Sequence, residues 1–342
     1  MARRAARSAA VPRPDALRGE PITGTRLRRI AIVFLAVLVA PGTWLRTPVV
    51  DDFRPILTIA PVAAEVDRIG EFAVDGVWEI DSPNTHFGSY SGLIALADGR
   101  LLAASDRGRY LRFAPPGAPA HRPEFGAIGG GVEYRKNAVD VESLTADPAR
   151  KTIWAGYEDS NTIVRFGPDL ADGEEAAPRA MRGWSSNSGP ESLARLPDGR
   201  FLVLEEGNPG GSGSSSGLLF VRDPVDGGEP MRFRYAPPAG YRPVDAAALP
   251  DGRVLVLHRR VTIGLPYGFE AKISVADPRE IAAGEDWRGR EIATLDSPLP
   301  VDNVEGIAVA PQGDGSFVVW LISDDNNAAL QRTLLYRLVW KP

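Results

Sequence analysis

The chain contains no cysteine and only three histidines among its 342 residues. The absence of cysteine excludes disulfides, thiolate zinc sites and a cysteine nucleophile, and the scarcity of histidine disfavours zinc or copper sites. The absence of cysteine does not determine the cellular compartment, because exported proteins do not require disulfides. The net charge is −5 and nearly all basic residues are arginines dispersed among acids, so no nucleic-acid surface is expected. Small molecules or proteins are the expected partners.

Long apolar runs are also missing. The longest, residues 30–40, has eleven residues, whereas a membrane-spanning helix needs about 20. Eight arginines precede it, and a basic lead followed by a short apolar run is typical of a secretory signal. An uncleaved anchor that tethers the protein to the inner membrane through residues 30–46 is the alternative. Either interpretation predicts a periplasmic or extracellular location for the remainder of the chain.

What the chain does contain is a repeated phrase: an acid, an apolar run, a Pro-Asp-Gly-Arg turn and a second apolar run. Residues 191–205 and 245–258 carry the two clearest copies. Looser copies bring the starting positions to 92, 142, 191, 245 and 305, in steps of 49 to 60 residues. Such even recurrence is the signature of an array of equivalent structural units.

Each phrase predicts a β-hairpin, because its apolar runs have strand length and Asp-Gly is favoured at the centre of a tight turn. Further apolar stretches after each hairpin complete about four strands, the content of one propeller blade. The fold class predicted is therefore all-β, a β-propeller of five blades, with a sixth degenerate blade left open. The last copy lacks a fourth strand, and residues 72–80 are expected to supply it and close the ring. The predicted organisation is a basic segment at 1–29, the signal or anchor at 30–46, a linker at 47–65 and the propeller at 66–342.

Propeller geometry places the start of each first strand and the end of each second strand on the same face, here called the mouth. The leading acids Glu142, Glu191, Asp245 and Glu305 are expected to converge there. The ends of the second strands bring further polar residues, among them Asp106, Glu158, Glu206 and the run at 323–327. Carboxylates crowded around a narrow channel repel one another unless cations or protons compensate.

Oxygen ligands of this kind suit Ca²⁺ or Mg²⁺, and Ca²⁺ is the cofactor expected here. Arginine and lysine near the mouth offer donors for an anionic substrate. The predicted metal ligands are Glu142, Glu191, Asp245, Glu305 and Asp325. The predicted substrate-binding residues are Arg107, Lys136, His258, Arg259 and Asn326. The competing interpretation is structural: acids at strand starts also accept hydrogen bonds from backbone N–H groups of neighbouring blades.

Several stretches resemble the bacterial phytase-like family, described as having esterase-like activity of phytase. The similarity rests on residues 302–309, 321–327 and 331–338, and continues upstream through residues 87–93, 105–108, 141–144 and 189–200, so that it covers roughly residues 66–340. The resemblance implies an exported propeller that acts on esters or phosphoesters. It also implies that Glu142, Glu191, Glu305 and Asp324, with Asp325, are functional positions.

The leading hypothesis is a cation-assisted hydrolase, expected to be monomeric, that acts on a small anionic ester or phosphoester. Its predicted catalytic residues are Glu142, Glu191, Glu305 and Asp324. Two alternatives stay open. One is a propeller that binds a ligand or protein at its mouth without catalysis. The other is a lactonase-like enzyme with one calcium ion and a more apolar pocket.

Overall fold

The structure is a computed structural model that describes residues 27–36, 50–130, 140–147, 149, 151–207, 213–262, 264 and 268–342. Contacts divide the chain into two units, Met1–Asp51 and Asp52–Pro342. In the first unit, helix α1 spans residues 27–36. Among the described residues, no helix is both long enough and apolar enough to cross a membrane. Residues 37–46 of the predicted signal or anchor lie outside the described part.

The second unit is a five-bladed β-propeller, which confirms the predicted fold class. Each blade is a small antiparallel sheet whose first strand lies innermost. Blade 5 includes three strands from the start of the unit, β1 (Thr58–Val62), β2 (Arg68–Ile69) and β3 (Phe72–Asp81). Blade 1 contains β4 (Tyr90–Ala95), β5 (Leu101–Ser105), β6 (Arg109–Phe113) and β7 (Glu124–Ala127). Blade 2 contains β8 (Val141–Asp147), β9 (Thr152–Tyr157), β10 (Thr162–Phe166) and β11 (Glu174–Ala176).

The remaining blades follow the same plan with longer connections. Blade 3 contains β12 (Pro190–Arg195), β13 (Phe201–Glu205), β14 (Ser215–Phe220) and β15 (Met231–Tyr235). Blade 4 contains β16 (Arg242–Ala248), β17 (Val254–Thr262), β18 (Gly268–Ala276) and β20 (Arg290–Leu295), while the short β19 (Asp286–Trp287) pairs with β15 of blade 3. Blade 5 is completed by β21 (Asn303–Pro311), β22 (Phe317–Asp324) and β23 (Leu334–Trp340). Three short 3₁₀ helices lie in the connections, at Arg179–Met181, Pro224–Asp226 and Pro278–Glu280.

The ring is closed by strands from both ends of the propeller sequence. Strand β3 pairs antiparallel with β23, so residues 72–81 supply the outer strand that the last repeat lacks, and this prediction is confirmed. Strand β1 adds to the outside of β3, and the segment 47–65, expected to be a linker, therefore contributes a strand. Closure of this kind leaves no open break between the first and last blades.

The hydrophobic core is divided into five wedges between adjacent blades. Trp340 and Tyr336 fill the wedge between blades 4 and 5, and Trp154 and Phe201 fill the wedge between blades 2 and 3. Because the core is made at these junctions, each blade depends on both neighbours for the burial of its apolar faces. The arrangement fixes the positions of the innermost strands around the central channel.

Candidate functional site

Every innermost strand carries one extra residue at the same place in its pairing with the second strand. The register shifts there, so the strand has a β-bulge near the mouth. The bulged residues are Ser91, Glu142, Glu191, Val244 and Glu305. The bulge thus brings three of the four leading acids to equivalent positions at the mouth, and it places Val244 where Asp245 was expected.

The glutamates of the bulges form one electrostatic cluster. Burial, followed by the charges of Glu305 and Asp140, raises the pKa of Glu142 well above its ordinary value. Burial and the charges of Glu142 and Glu206 do the same to the pKa of Glu191. Mutual repulsion of this strength means that the site favours protons or an added cation.

Three carboxylates lie close enough to share an ion. Asp140, Glu142 and Glu158 each offer one oxygen, and these oxygens lie within 4.8 Å of one another. All three side chains are partly exposed to the mouth. Burial and the charge of Asp140 raise the pKa of Glu158 to about 7, while a hydrogen bond with Glu191 opposes that shift. The donor set consists of carboxylate oxygens alone, which is the chemistry that Ca²⁺ and Mg²⁺ prefer, so the residues fit a hard divalent cation.

The blade 5 side of the mouth is organised around an arginine and an asparagine. Arg259 Nη1 lies 3.1 Å from Glu305 Oε1 and donates to Asn303 Oδ1 at 2.9 Å. Asn303 Nδ2 donates to Glu305 Oε1 at 2.8 Å and to Asp324 Oδ2 at 3.2 Å. Each polar atom of the asparagine side chain is therefore used, which fixes its orientation.

Asp324 lies at the end of β22, almost fully buried. Burial and the charge of Glu305 raise its pKa to about 8, although a hydrogen bond from the backbone N–H of Asn326 opposes the shift. Among the described residues no cation forms an ion pair with this carboxyl group. The raised pKa favours the protonated form of Asp324, beside a Glu305 that is paired with Arg259.

Asp245 is not part of the cluster. Its Oδ1 accepts from the backbone N–H of Ala246 and its Oδ2 from that of Ile307 in blade 5, both at 2.8 Å. The side chain is completely buried, one residue past the bulge. The structure thus gives Asp245 the structural role considered above, in which a carboxylate joins neighbouring blades.

The carboxylate oxygens of Asp325 likewise accept hydrogen bonds from neighbouring loop residues. Its Oδ1 accepts from the backbone N–H groups of Ser89 and Asn327, and its Oδ2 accepts from the Thr333 hydroxyl at 2.9 Å. A carboxylate with three donors at its oxygens joins the run at 323–327 to the loop before β4. Neither Asp245 nor Asp325 has oxygens directed to the group of carboxylates formed by Asp140, Glu142 and Glu158.

The predicted substrate-binding residues are dispersed. His258 is fully buried, its Nε2 lies 2.6 Å from Tyr235 Oη and its Nδ1 lies 3.2 Å from the carbonyl of Lys272. Its ring therefore packs between blades 3 and 4, stacked on Tyr235 of β15, because the side chains of His258 and Arg259 point to opposite faces of β17. Arg107 is exposed and 4.0 Å from Asp106, and Asn326 is exposed with a positive φ of 47°. Lys136 lies outside the described residues.

Other residues of the mouth carried no role in the sequence interpretation. Glu158 and Glu206 end the second strands of blades 2 and 3, and their position there was the available signal. Asp140 stands two residues before Glu142, and alternation along a strand would have placed both on one side. No feature of the sequence indicates that Arg242, at the start of β16, lies at the mouth, because this follows only from its pairing with Arg259.

One residue past each bulge, the innermost strands carry mostly small residues. The position after each bulge is Gly92, Ser143, Ser192, Asp245 or Gly306. A Cβ on Gly306 would lie 2.9 Å from the Cβ of Leu93 in blade 1, so a larger residue cannot be accommodated without displacement. The innermost strands β21 and β4 therefore lie close together one residue past their bulges.

Comparison of the sequence with models of protein families identifies the family to which the chain belongs. Residues 85–327 match the family described as phytase-like, with esterase-like activity of phytase. The match spans more than two thirds of the chain, and the protein belongs to this family. No curated protein sequence matches the chain.

Comparison with solved structures gives matches of low sequence identity. The glutaminyl cyclase of Myxococcus xanthus is 11% identical, with a TM-score of 0.45 over 78% of this chain and 95% of that one. A luciferin-regenerating enzyme is 14% identical, with a TM-score of 0.39 over 83% and 95%. A hypothetical protein from Leishmania major is 12% identical, with a TM-score of 0.41 over 83% and 90%.

Proposed function

We propose that this protein hydrolyses ester or phosphoester bonds with the help of a divalent cation, most simply Ca²⁺, held at the propeller mouth. The observation that carries the proposal is the approach of the Asp140, Glu142 and Glu158 oxygens to within 4.8 Å of one another. Membership of the phytase-like family supports the hydrolytic class. The substrate class is a small anionic ester or phosphoester.

The three carboxylates would hold the cation, which supplies a water of lowered pKa and polarises the carbonyl or phosphoryl oxygen. A bound cation would offset the repulsion that raises the pKa of Glu191, and the ionised Glu191, a hydrogen-bond partner of Glu158, would then accept a proton from the attacking water. Asp324 shares the Asn303 side chain with Glu305, and its raised pKa favours its protonated form at neutral pH. It would protonate the leaving oxygen. Glu191 and Asp324 would thus act as base and acid on the bound ester.

The test is hydrolysis of p-nitrophenyl phosphate and p-nitrophenyl acetate by the full chain, with Ca²⁺, Mg²⁺ or Mn²⁺ and with EDTA. We expect turnover of at least one substrate, loss on chelation, and a fall of a hundredfold or more in kcat/KM for Glu142→Gln, in line with the loss of a group essential for positioning the nucleophile. Glu175→Gln, which removes an exposed acid of β11, is the matched control and should leave the rate unchanged.

Two results would count against the proposal in different ways. Hydrolysis that persists in EDTA would remove the cation from the mechanism. Inactivity towards both substrates, together with a melting temperature that rises on adding a cation, would indicate a propeller that binds at its mouth without catalysis.

We also propose that the protein is exported, on the strength of the arginine-rich start and the apolar run at 30–40. The test is cell fractionation of an epitope-tagged full chain beside a variant that lacks residues 1–46. Export predicts the tag outside the cytoplasm for the full chain only. Equal cytoplasmic signal for both would contradict it.

A further inference from the structure

An arginine without an assigned role, Arg242, stands at the rim of the mouth beside a buried glutamate. Arg242 Nη1 donates to Glu206 Oε2 at 3.0 Å, and Arg259 Nη2 donates to Glu206 Oε1 at 3.1 Å. Glu206 is 7% exposed, so it forms a rigid bridge between two guanidinium groups. Arg242 and Arg259 also face each other in the pairing of β16 with β17.

The neighbouring cations of blade 4 are already occupied. Both terminal nitrogens of Arg259 have partners, Nη1 in Asn303 and Glu305 and Nη2 in Glu206. Arg260 pairs with Glu270 and stacks over the ring of Tyr241 at 4.6 Å from its centroid. Arg259 is therefore left with no terminal nitrogen for a ligand, and the guanidinium of Arg260 is held by Glu270 and the ring of Tyr241.

Arg242 differs from Arg259 in the number of its nitrogens that have partners. Its side chain is 34% exposed, and among the described residues only its Nη1 has a hydrogen-bond partner. Its Nη2 and Nε therefore remain as a pair of parallel donors. This is the fork that binds a carboxylate or phosphate oxygen pair in bidentate fashion.

We propose that Arg242, positioned by Glu206, forms an anion-binding subsite that receives the negatively charged group of the substrate. This inference rests on the proposed function, since it assigns the specificity of the same mouth. The ligand chemistry is a phosphate or carboxylate group carried by the ester. Arg259 becomes a structural counter-ion for Glu206 and Glu305, in place of the substrate-binding role that its position suggested.

The subsite should depend on the cation. The single guanidinium of Arg242, already paired with Glu206, is outnumbered by Asp140, Glu142 and Glu158, whose negative charges would repel an incoming anion. A divalent cation held by those carboxylates would lower the local negative charge. Anion binding at Arg242 is therefore expected in the presence of the cation and weakened in EDTA.

The first experiment compares Arg242→Gln with the wild type on two aryl esters that differ in charge, neutral p-nitrophenyl acetate and anionic p-nitrophenyl succinate. We expect KM for the succinate to rise at least tenfold, the usual consequence of losing a charge-assisted hydrogen bond, with KM for the acetate unchanged. Arg242→Lys should restore part of the loss. Arg234→Gln, which removes an exposed arginine of an outer strand, should change neither constant. An equal rise for both esters would overturn the subsite.

The second experiment needs no turnover. Inorganic phosphate, added with Ca²⁺, should raise the melting temperature of the wild-type protein and of Arg234→Gln, but not that of Arg242→Gln, and Glu206→Gln should reduce the effect. A phosphate response that survives in Arg242→Gln, or none in the wild type, would overturn the assignment of Arg242. If the wild type responds to phosphate but hydrolyses neither ester, the subsite stands and the hydrolytic function fails.

Discussion

At the scale of single residues, the donors around each carboxylate distinguish Asp245 and Asp325 from Glu142 and Glu191. Asp245 and Asp325 have their oxygens satisfied by backbone or hydroxyl donors. Glu142 and Glu191 instead have other carboxylates as the main charges around them. A buried acid that is fully hydrogen-bonded stabilises a fold, whereas acids that repel one another cost stability and are retained where they serve a site.

Asp245 provides the clearest stability prediction. Asp245→Ala would leave the buried N–H of Ile307 without an acceptor, and we expect the free energy of unfolding to fall by about 2–4 kcal/mol. Asp245→Asn keeps one carbonyl oxygen and should lose about half as much. Urea unfolding followed by circular dichroism measures both. Asp251→Ala, at an exposed turn, is the control, with a change of about 1 kcal/mol or less. A similar loss for the two alanine variants would refute the interpretation.

His258 predicts how stability depends on pH. Burial lowers its pKa from 6.5 to about 4, so the folded state keeps the ring neutral while the unfolded chain takes up a proton. Its contribution is complete above pH 6.5 and is lost as the pH falls from 6.5 to 4, by up to about 3 kcal/mol. His258→Gln removes the titration, and its melting temperature should fall less steeply than the wild-type value over this interval. His121→Gln, at an exposed position, should follow the wild type, and a His258→Gln curve parallel to it would contradict the prediction.

At the scale of strands and turns, the repeated phrase was sufficient to place the hairpins. Asp-Gly at 98–99, 198–199 and 251–252 marks turns in which the glycine adopts φ values of 84° to 90°. The β-bulge of each innermost strand could not be predicted from the sequence, because one extra residue moves a side chain to the other face of the strand without changing the composition of the repeated phrase. This explains why Asp245 was aligned with the glutamates although Val244 occupies the equivalent position. Side-chain partners such as Asn303 with Arg259 depend on packing between blades, which no local pattern reveals.

Strand β3 allows a prediction at this scale. A chain of residues 52–342 retains β1, β2 and β3 and should fold with a melting temperature close to that of the full chain, because Asp52–Pro342 is a compact unit. A chain of residues 82–342 lacks all three strands and exposes the edge of β23, including the buried Tyr336 and Trp340. We expect it to aggregate or to melt at least 10 °C lower, since several buried aromatic contacts are lost. Soluble expression and thermal melting compare the two, and equal stability would show that β3 is dispensable for closure.

At the scale of the whole molecule, the five blades gather negative charge at the mouth, outside the hydrophobic core. The wedges between blades hold the ring together, and the innermost strands deliver Glu142, Glu191 and Glu305 to a single opening. The net charge of the chain is only −5, so the concentration of carboxylates at the mouth is a local property of the closed ring. Opening the ring would separate these charges and relieve their repulsion. The repulsion between these carboxylates therefore weakens the closed structure, and a bound cation should strengthen it.

Removing one carboxylate from the mouth and adding a cation to it should both relieve this repulsion, so each should raise the melting temperature. Burial and neighbouring carboxylates raise the pKa of Glu191, so the stability associated with its protonated form is present below its ordinary pKa and is lost as the pH rises through the folded value. In EDTA, the melting temperature of Glu191→Gln should therefore exceed that of the wild type by a margin that grows as the pH rises. Calcium at about 100 times its dissociation constant should add about 2.7 kcal/mol to the wild type, a rise in melting temperature of about 5–10 °C. The rise should be smaller for Glu142→Gln, which lacks a ligand, and unchanged for Glu175→Gln. If EDTA and calcium leave the wild-type melting temperature unaltered while Glu191→Gln raises it, the acids repel one another without binding a cation, and the mouth is not a metal centre.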